Sequence, residues 1–364
     1  MFTHSEVQLN PSQQRLPERY AQCKKQRIMA KYQEKQREKA RKLILEKNKV
    51  FYGGKGGKYF MRSNRDFVLI DYENNFYQPI KNEAIEYFQK NGIKWWGGKN
   101  PTGHTLSSQI ACVNHLFAIR KDKQAVLDLL KSASNDFIDV YEIETDKHNP
   151  AYIQFESVSD NDHLNEGQSS RGLNCTSIDA LILAKHNDGT RWLIPIEWKY
   201  TEHYNNTDKS IEDSDRLSQK HKKGDEAKGK ERLDRYCYNE KGRLIDASDN
   251  LKSLPEYRKS VYFFEPFYQL MRQTLWAEQM INNKKTETIK ADNYLHLHII
   301  PKENDDLLKK KYKCSGADME STWRKNLKSN ALYKIISPEV FLNNIDKEKY
   351  KELIDYLAKR YWND

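Results

Sequence analysis

Two apolar runs, Ile178–Ala184 and Trp192–Trp198, flank a turn containing Asn187-Asp188-Gly189, and three charged residues interrupt them: Asp179 in the first, Glu197 and Lys199 in and just beyond the second. Apolar runs of this length around Asp-Gly predict a buried antiparallel hairpin. A charge in a core strand is costly unless it is paired or bound to a cation. With the hairpin centred near Asp188, positions whose numbers sum to about 376 face each other, which brings Asp179 opposite Glu197 to within a residue. Glu197 and Lys199, two apart, share a face of their strand. Two facing carboxylates beside one ammonium make a poor structural pair but a good cation site. Mg²⁺ keeps several waters and is usually held by one or two carboxylates, so it suits this pair, with Mn²⁺ as the alternative.

Asp179 followed by Glu197-x-Lys199 on the next strand resembles the PD-(D/E)xK nuclease superfamily, and CTSIDALILA with IEWKYTEHY is similar to prokaryotic restriction-endonuclease-like proteins within it. Ile178 stands where the family's name has proline. The resemblance implies an α/β, restriction-endonuclease-like fold: a mixed central β-sheet flanked by helices. It also implies that Asp179 and Glu197 are metal ligands and that Lys199 is the catalytic lysine. The activity it implies is metal-dependent endonucleolytic hydrolysis of DNA in restriction or defence, with duplex cleavage favouring a homodimer. The alternative is a non-catalytic nucleic-acid-binding protein built on a nuclease-like core. RNA stays open as a substrate, although no aromatic RNA-binding strand motif is evident. Glu226-Ala227-Lys228 repeats the Glu-x-Lys spacing, but in a polar, lysine-rich stretch with no strand around it.

The net charge of +10 suits a polyanionic partner. Almost all of it lies in residues 15–49, where thirteen Lys and Arg face four Glu. This stretch predicts a basic helical arm whose Lys24, Lys25, Arg27 and Lys31 are candidate phosphate contacts, or else a solvated helix used for packing. Gly53-Gly54-Lys55-Gly56-Gly57-Lys58 lacks the phosphate-loop spacing and reads as a hinge, dividing a 1–58 arm from a 59–364 body. No run of eighteen apolar residues and no secretion leader is visible, and five scattered cysteines without a CxxC pair support neither disulfides nor zinc. A cytoplasmic protein without a membrane segment is expected.

In the body, helices are predicted over 82–91, 109–119, 123–132, 267–282 and 347–362, and core strands over 152–158, 177–185, 191–199 and 294–301. Glu156 in the first strand, Gln109 in the helix before it and Gln269 in the helix after the hairpin are candidate auxiliary residues. Arg272, also in that helix, is a further candidate phosphate contact. Residues 205–255 read as a polar, mobile insertion or recognition segment. His163 lies in a polar loop and reads as solvent-exposed. His296 and His298 have the period of a zinc pair but lack a third ligand of the right type nearby.

Overall fold

The hairpin forms in the expected register. In the structure, a computed structural model that describes residues 30–46, 49–96, 98–167, 171, 175–212, 228–238 and 243–362, eleven strands are described. They are β1 (Gly56–Phe60), β2 (Ser63–Leu69), β3 (Phe137–Tyr141), β4 (Glu144–Asp146), β5 (Asn149–Ala151), β6 (Gln154–Ser157), β7 (Ile178–His186), β8 (Arg191–Trp198), β9 (Asn293–Tyr294), β10 (His296–Ile299) and β11 (Tyr333–Ile336). The principal helices are α1 (Lys31–Leu45), α2 (Lys81–Lys90), α3 (Ser108–Leu116), α4 (Lys123–Lys131), α5 (Lys228–Leu233), α6 (Phe267–Asn282) and α7 (Lys351–Leu357).

β7 and β8 pair antiparallel from Ala180 opposite Ile196 to Lys185 opposite Arg191. Gly189 closes the turn with φ +88°, a region a side chain rarely enters, and the Asp188 carboxylate accepts from the Thr190 amide at 2.8 Å. Around this hairpin the sheet runs β11-β10-β8-β7-β3, with β6 on the far end of β7 and β9 beside β8. β10 is parallel to both β8 and β11, whereas β7 is antiparallel to all its partners, so the sheet is mixed. Pro195 sits inside β8, where a missing amide would normally break a ladder. It lies opposite Leu181 of β7 and, on its other side, falls between the residues that β9 pairs and those that β10 pairs.

Helices cover both faces. Ala180, Ile182, Ile194 and Ile196 point into a core shared with α2, α3, α4 and α7, while Leu181, Leu183 and Leu193 point into a second core built on α6. The alternation along β7 and β8 therefore separates two apolar faces, as expected of a sheet buried on both sides. Glu197 and Lys199 face α6, where they meet Gln273 and Gln269, whereas Asp179 lines a cleft beside Gln109 at the start of α3. In α6, Phe267, Leu270, Met271, Thr274 and Leu275 recur at helical spacing, and all are buried.

Two stretches differ from the reading of the sequence. Residues 228–255, read as part of a mobile insertion, pack in their described parts: Leu233, Tyr236, Cys237, Leu244, Ile245 and Leu251 are buried in the core of α6. Sparse apolar residues were enough because they join one continuous buried cluster, in which Tyr236 meets Tyr268 of α6 at 6.1 Å between ring centroids. The end of the glycine-rich stretch is not a hinge but strand β1. A Cβ on Gly56 would lie 1.8 Å from the Asp66 carbonyl oxygen, so the close approach of β1 to β2 requires glycine there. α1 is docked on the body, as its thin apolar stripe suggests: its Gln36 accepts from the Tyr200 hydroxyl at 2.9 Å, and its Arg41 pairs with Asp66 at 2.9 Å. Strands β3 and β11 were not anticipated. Among the described residues, no helix is long and apolar enough to cross a membrane.

Candidate functional site

The charged residues of the hairpin meet at its open end. The β7–β8 ladder stops one residue short of Asp179, and the Trp198 amide donates to the Asp179 carboxylate at 2.7 Å. Continuing the register by one step puts Asp179 opposite Glu197. β6 contributes the third member of the row. Phe155 pairs with Ala180 and Ser157 with Ile178, leaving Glu156 across from Asp179 with φ +48°. Positive φ in a non-glycine residue costs about 1–3 kcal/mol and concentrates at functional sites. Two donors hold this residue: Gln109 Nε2 reaches one carboxylate oxygen at 2.7 Å and the Ser177 hydroxyl the other at 2.8 Å.

Glu197 and Lys199 are 3 % and 4 % exposed and form an ion pair beneath α6. Gln273 Nε2 donates to the second oxygen of Glu197. The Lys199 ammonium also donates to Gln269 Oε1 at 2.7 Å, and that oxygen accepts the Tyr204 hydroxyl at 3.1 Å. Gln269 is thus beside Lys199. Gln273 and Tyr204 were not singled out in the sequence. The signal for Gln273 was its position four residues after Gln269, which places both amides on one face of α6.

Burial, then the charges of Glu197 and Glu156, push the Asp179 carboxyl well above the ordinary aspartate range. Burial likewise raises Glu156. Burial alone would lower Lys199, but Glu197, Tyr204, Glu202 and Asp179 together outweigh it and hold the ammonium protonated. Three carboxylates against a single ammonium leave an excess of negative charge, which adds to burial in destabilising ionised Asp179. The donor set is all oxygen and fits a hard divalent cation better than zinc. Among the described residues, no three His, Cys, Asp or Glu side chains converge closely enough to hold an ion unaided. A cation here would rest on Asp179 and Glu197 and complete its shell with water or substrate oxygens. His296 and His298 are buried on β10, with His298 bonded to the Tyr333 hydroxyl at 3.0 Å.

Asp179 and Glu156 form the acidic floor of a cleft of about 680 Å³. Its walls come from α1 (Arg37), the β1–β2 hairpin (Phe60, Arg65) and the loop before α3 (Lys94, Trp96, His104). The remaining candidates lie elsewhere. Arg272 does not line this cleft: its guanidinium is half-buried and bound to Glu166 at 2.9 Å, alongside Tyr236, whose hydroxyl also donates to Glu166. A phosphate contact from Arg272 would have to break that pair. Lys31 is exposed at the start of α1, and Lys24, Lys25 and Arg27 lie outside the described residues. His163, read as solvent-exposed, contacts Glu287 at 2.6 Å.

A family model described as restriction endonuclease associating with ARP matches residues 18–362. The chain belongs to that family. No curated protein and no solved structure matches it. Membership in a restriction-endonuclease family suggests a nuclease role in defence. The match begins within the basic arm and ends just beyond α7, so it takes in both the sheet and the walls of the cleft.

Proposed function

We propose that this restriction-endonuclease family member is a PD-(D/E)xK nuclease that hydrolyses DNA phosphodiester bonds with Mg²⁺ or Mn²⁺ in defence against foreign DNA. One observation supports the reading most: Glu156 and Asp179, on neighbouring strands, line a cleft with cationic walls, and the buried Glu197–Lys199 pair lies next to Asp179 at the end of β8. Asp179 and Glu197 would hold the cation, which when bound stabilises charge on the phosphate and acidifies a coordinated water. Lys199 keeps its proton under the influence of Glu197, so it acts as a donor that orients water or a phosphate oxygen, not as a general base. Gln269 and Tyr204 fix the direction of its ammonium. In the resting arrangement that ammonium is committed to Glu197, and cleavage requires it to turn toward the substrate. Cutting a duplex would use a homodimer, one site for each strand.

The test is incubation of purified protein with unmodified plasmid and phage DNA, in Mg²⁺ or in EDTA, beside the Asp179→Ala and Lys199→Ala variants. The family description names an association with ARP, so a parallel reaction includes that partner. Discrete Mg²⁺-dependent fragments lost in both variants are expected. Undiminished cutting by either variant would sink the assignment. A salt-sensitive gel shift without any cutting in both reactions would favour a non-catalytic DNA-binding role.

A further inference from the structure

The cleft above Asp179 has two kinds of wall. Phe60 of the β1–β2 hairpin lies 5.9 Å from Trp96 and 5.0 Å from His104 between ring centroids, and His104 is 6.1 Å from Trp96. These three rings form one aromatic surface. Its outermost member, Trp96, is 59 % exposed, although its neighbour Trp95 is buried and stacked on Phe88 at 3.8 Å. An exposed tryptophan grouped with two further rings on a cleft wall is the kind of apolar surface that marks a ligand-binding groove. Burial, with Arg37 and Arg65 nearby, pushes His104 down to about 4, so it is a neutral ring at physiological pH.

Cations stand beside the rings. Arg65 and Lys94 are exposed on the cleft, and among the described residues neither has an ion-pair partner. Arg37, by contrast, is engaged by Glu34 at 2.9 Å. The aromatic wall is tied to the acidic floor through one side chain. Gln109 accepts the Trp96 amide at 2.9 Å and donates to the Lys94 carbonyl at 3.2 Å and to Glu156 at 2.7 Å. Cations at the mouth, rings on one side and carboxylates below match the three parts of a nucleotide bound near a cation: phosphate, base and scissile linkage. Bases in a duplex are stacked on each other and cannot also cover Trp96, so the base that does so has left its stack.

We propose that this cleft receives one unpaired nucleotide of the DNA, its base stacked against Trp96 and the Phe60–His104 surface and its flanking phosphates on Arg65 and Lys94. The proposal rests on the nuclease reading for its choice of DNA. Its consequence is selectivity: DNA that already presents an unpaired base avoids the unstacking cost and binds more tightly than a perfect duplex.

The experiment is fluorescence-anisotropy binding in EDTA, where no cleavage interferes, of a perfect duplex and of the same duplex with one unpaired nucleotide. The unpaired form is expected to bind about 10-fold more tightly, from the usual strength of base–aromatic stacking. Trp96→Ala, a change at an exposed side chain, should abolish that preference. Arg65→Gln combined with Lys94→Gln should weaken both ligands and flatten the salt dependence. Equal affinity of the unaltered protein for the two duplexes would overturn the proposal, as would a preference that survives Trp96→Ala. A preference that depends on Trp96 in a protein that never cuts DNA would leave the pocket standing and remove only the nuclease reading.

Discussion

At the scale of the residue, the site is a set of charges that the fold leaves unbalanced. Asp179 carries the imbalance, because burial and the carboxylates of Glu197 and Glu156 disfavour its ionised form. A folded-state pKa above the ordinary value of 3.8 means that Asp179 contributes most to stability below that value. The contribution is lost as pH rises through the folded pKa. In EDTA, Asp179→Asn should therefore melt higher than the unaltered protein, with a gap that widens from acidic to neutral pH. Addition of Mg²⁺ should raise the melting temperature of the unaltered protein at neutral pH and leave the variant unmoved. A variant that melts lower at neutral pH in EDTA would contradict this account.

The Glu197–Lys199 pair makes the opposite prediction. Removing one member of a buried pair leaves an uncompensated charge and costs about 3–5 kcal/mol. Lys199→Met should destabilise the protein by about that amount, while Glu197→Gln combined with Lys199→Met should cost less than the two single changes added together. Chemical denaturation of all four proteins gives the coupling, and simple additivity would show that the pair is not a unit.

At the scale of the element, the β1–β2 hairpin and α3 carry the site beyond the sheet. The hairpin depends on Gly56, whose position leaves no room for a side chain against the Asp66 backbone. Gly56→Ala should destabilise by about 1–3 kcal/mol, since backbone must move to accept the methyl group. If the hairpin wall holds DNA as proposed, binding should weaken alongside. A Gly56→Ala protein with unchanged stability would mean that the strands can separate freely. α3 starts where Ser107 accepts the Ile110 amide at 3.3 Å, and this cap places Gln109 in the first turn, facing Glu156 and the Trp96 loop.

Much of this element level was legible beforehand, since α6 spans the residues that helical periodicity marks and α3 starts at a serine suited to capping. Strands β3 and β11 were missed. Short strands at the ends of a sheet carry little period-two signal of their own and owe their conformation to β7 and β10.

At the scale of the whole molecule, the net charge of +10 is concentrated in residues 15–49, and α1, the described part of that stretch, lies against the body near the cleft. Deleting residues 1–29 removes Arg15, Arg19, Lys24, Lys25 and Arg27, five of the thirteen cations of that stretch. If they bind phosphates, the slope of log affinity against log salt should fall by about 0.9 for each phosphate no longer neutralised, with Mg²⁺-dependent cutting by the remaining chain retained. An unchanged slope would assign these cations to other work.

The sequence by itself determined the hairpin, its register and the coincidence of Asp179 with Glu197. All three follow from a short turn, a period of two and the cost of burying charge, which act between residues close in the chain. Only the tertiary structure decided what each charge meets. Gln273 and Gln269 come to Glu197 and Lys199 from about seventy residues away. Arg272, on the same helix, is claimed by Glu166 across a separation of 106 residues. The cleft joins α1, the β1–β2 hairpin and the Trp96 loop to the floor of the sheet. Such meetings depend on how finished elements pack, and local periodicity carries no record of which faces will be brought together.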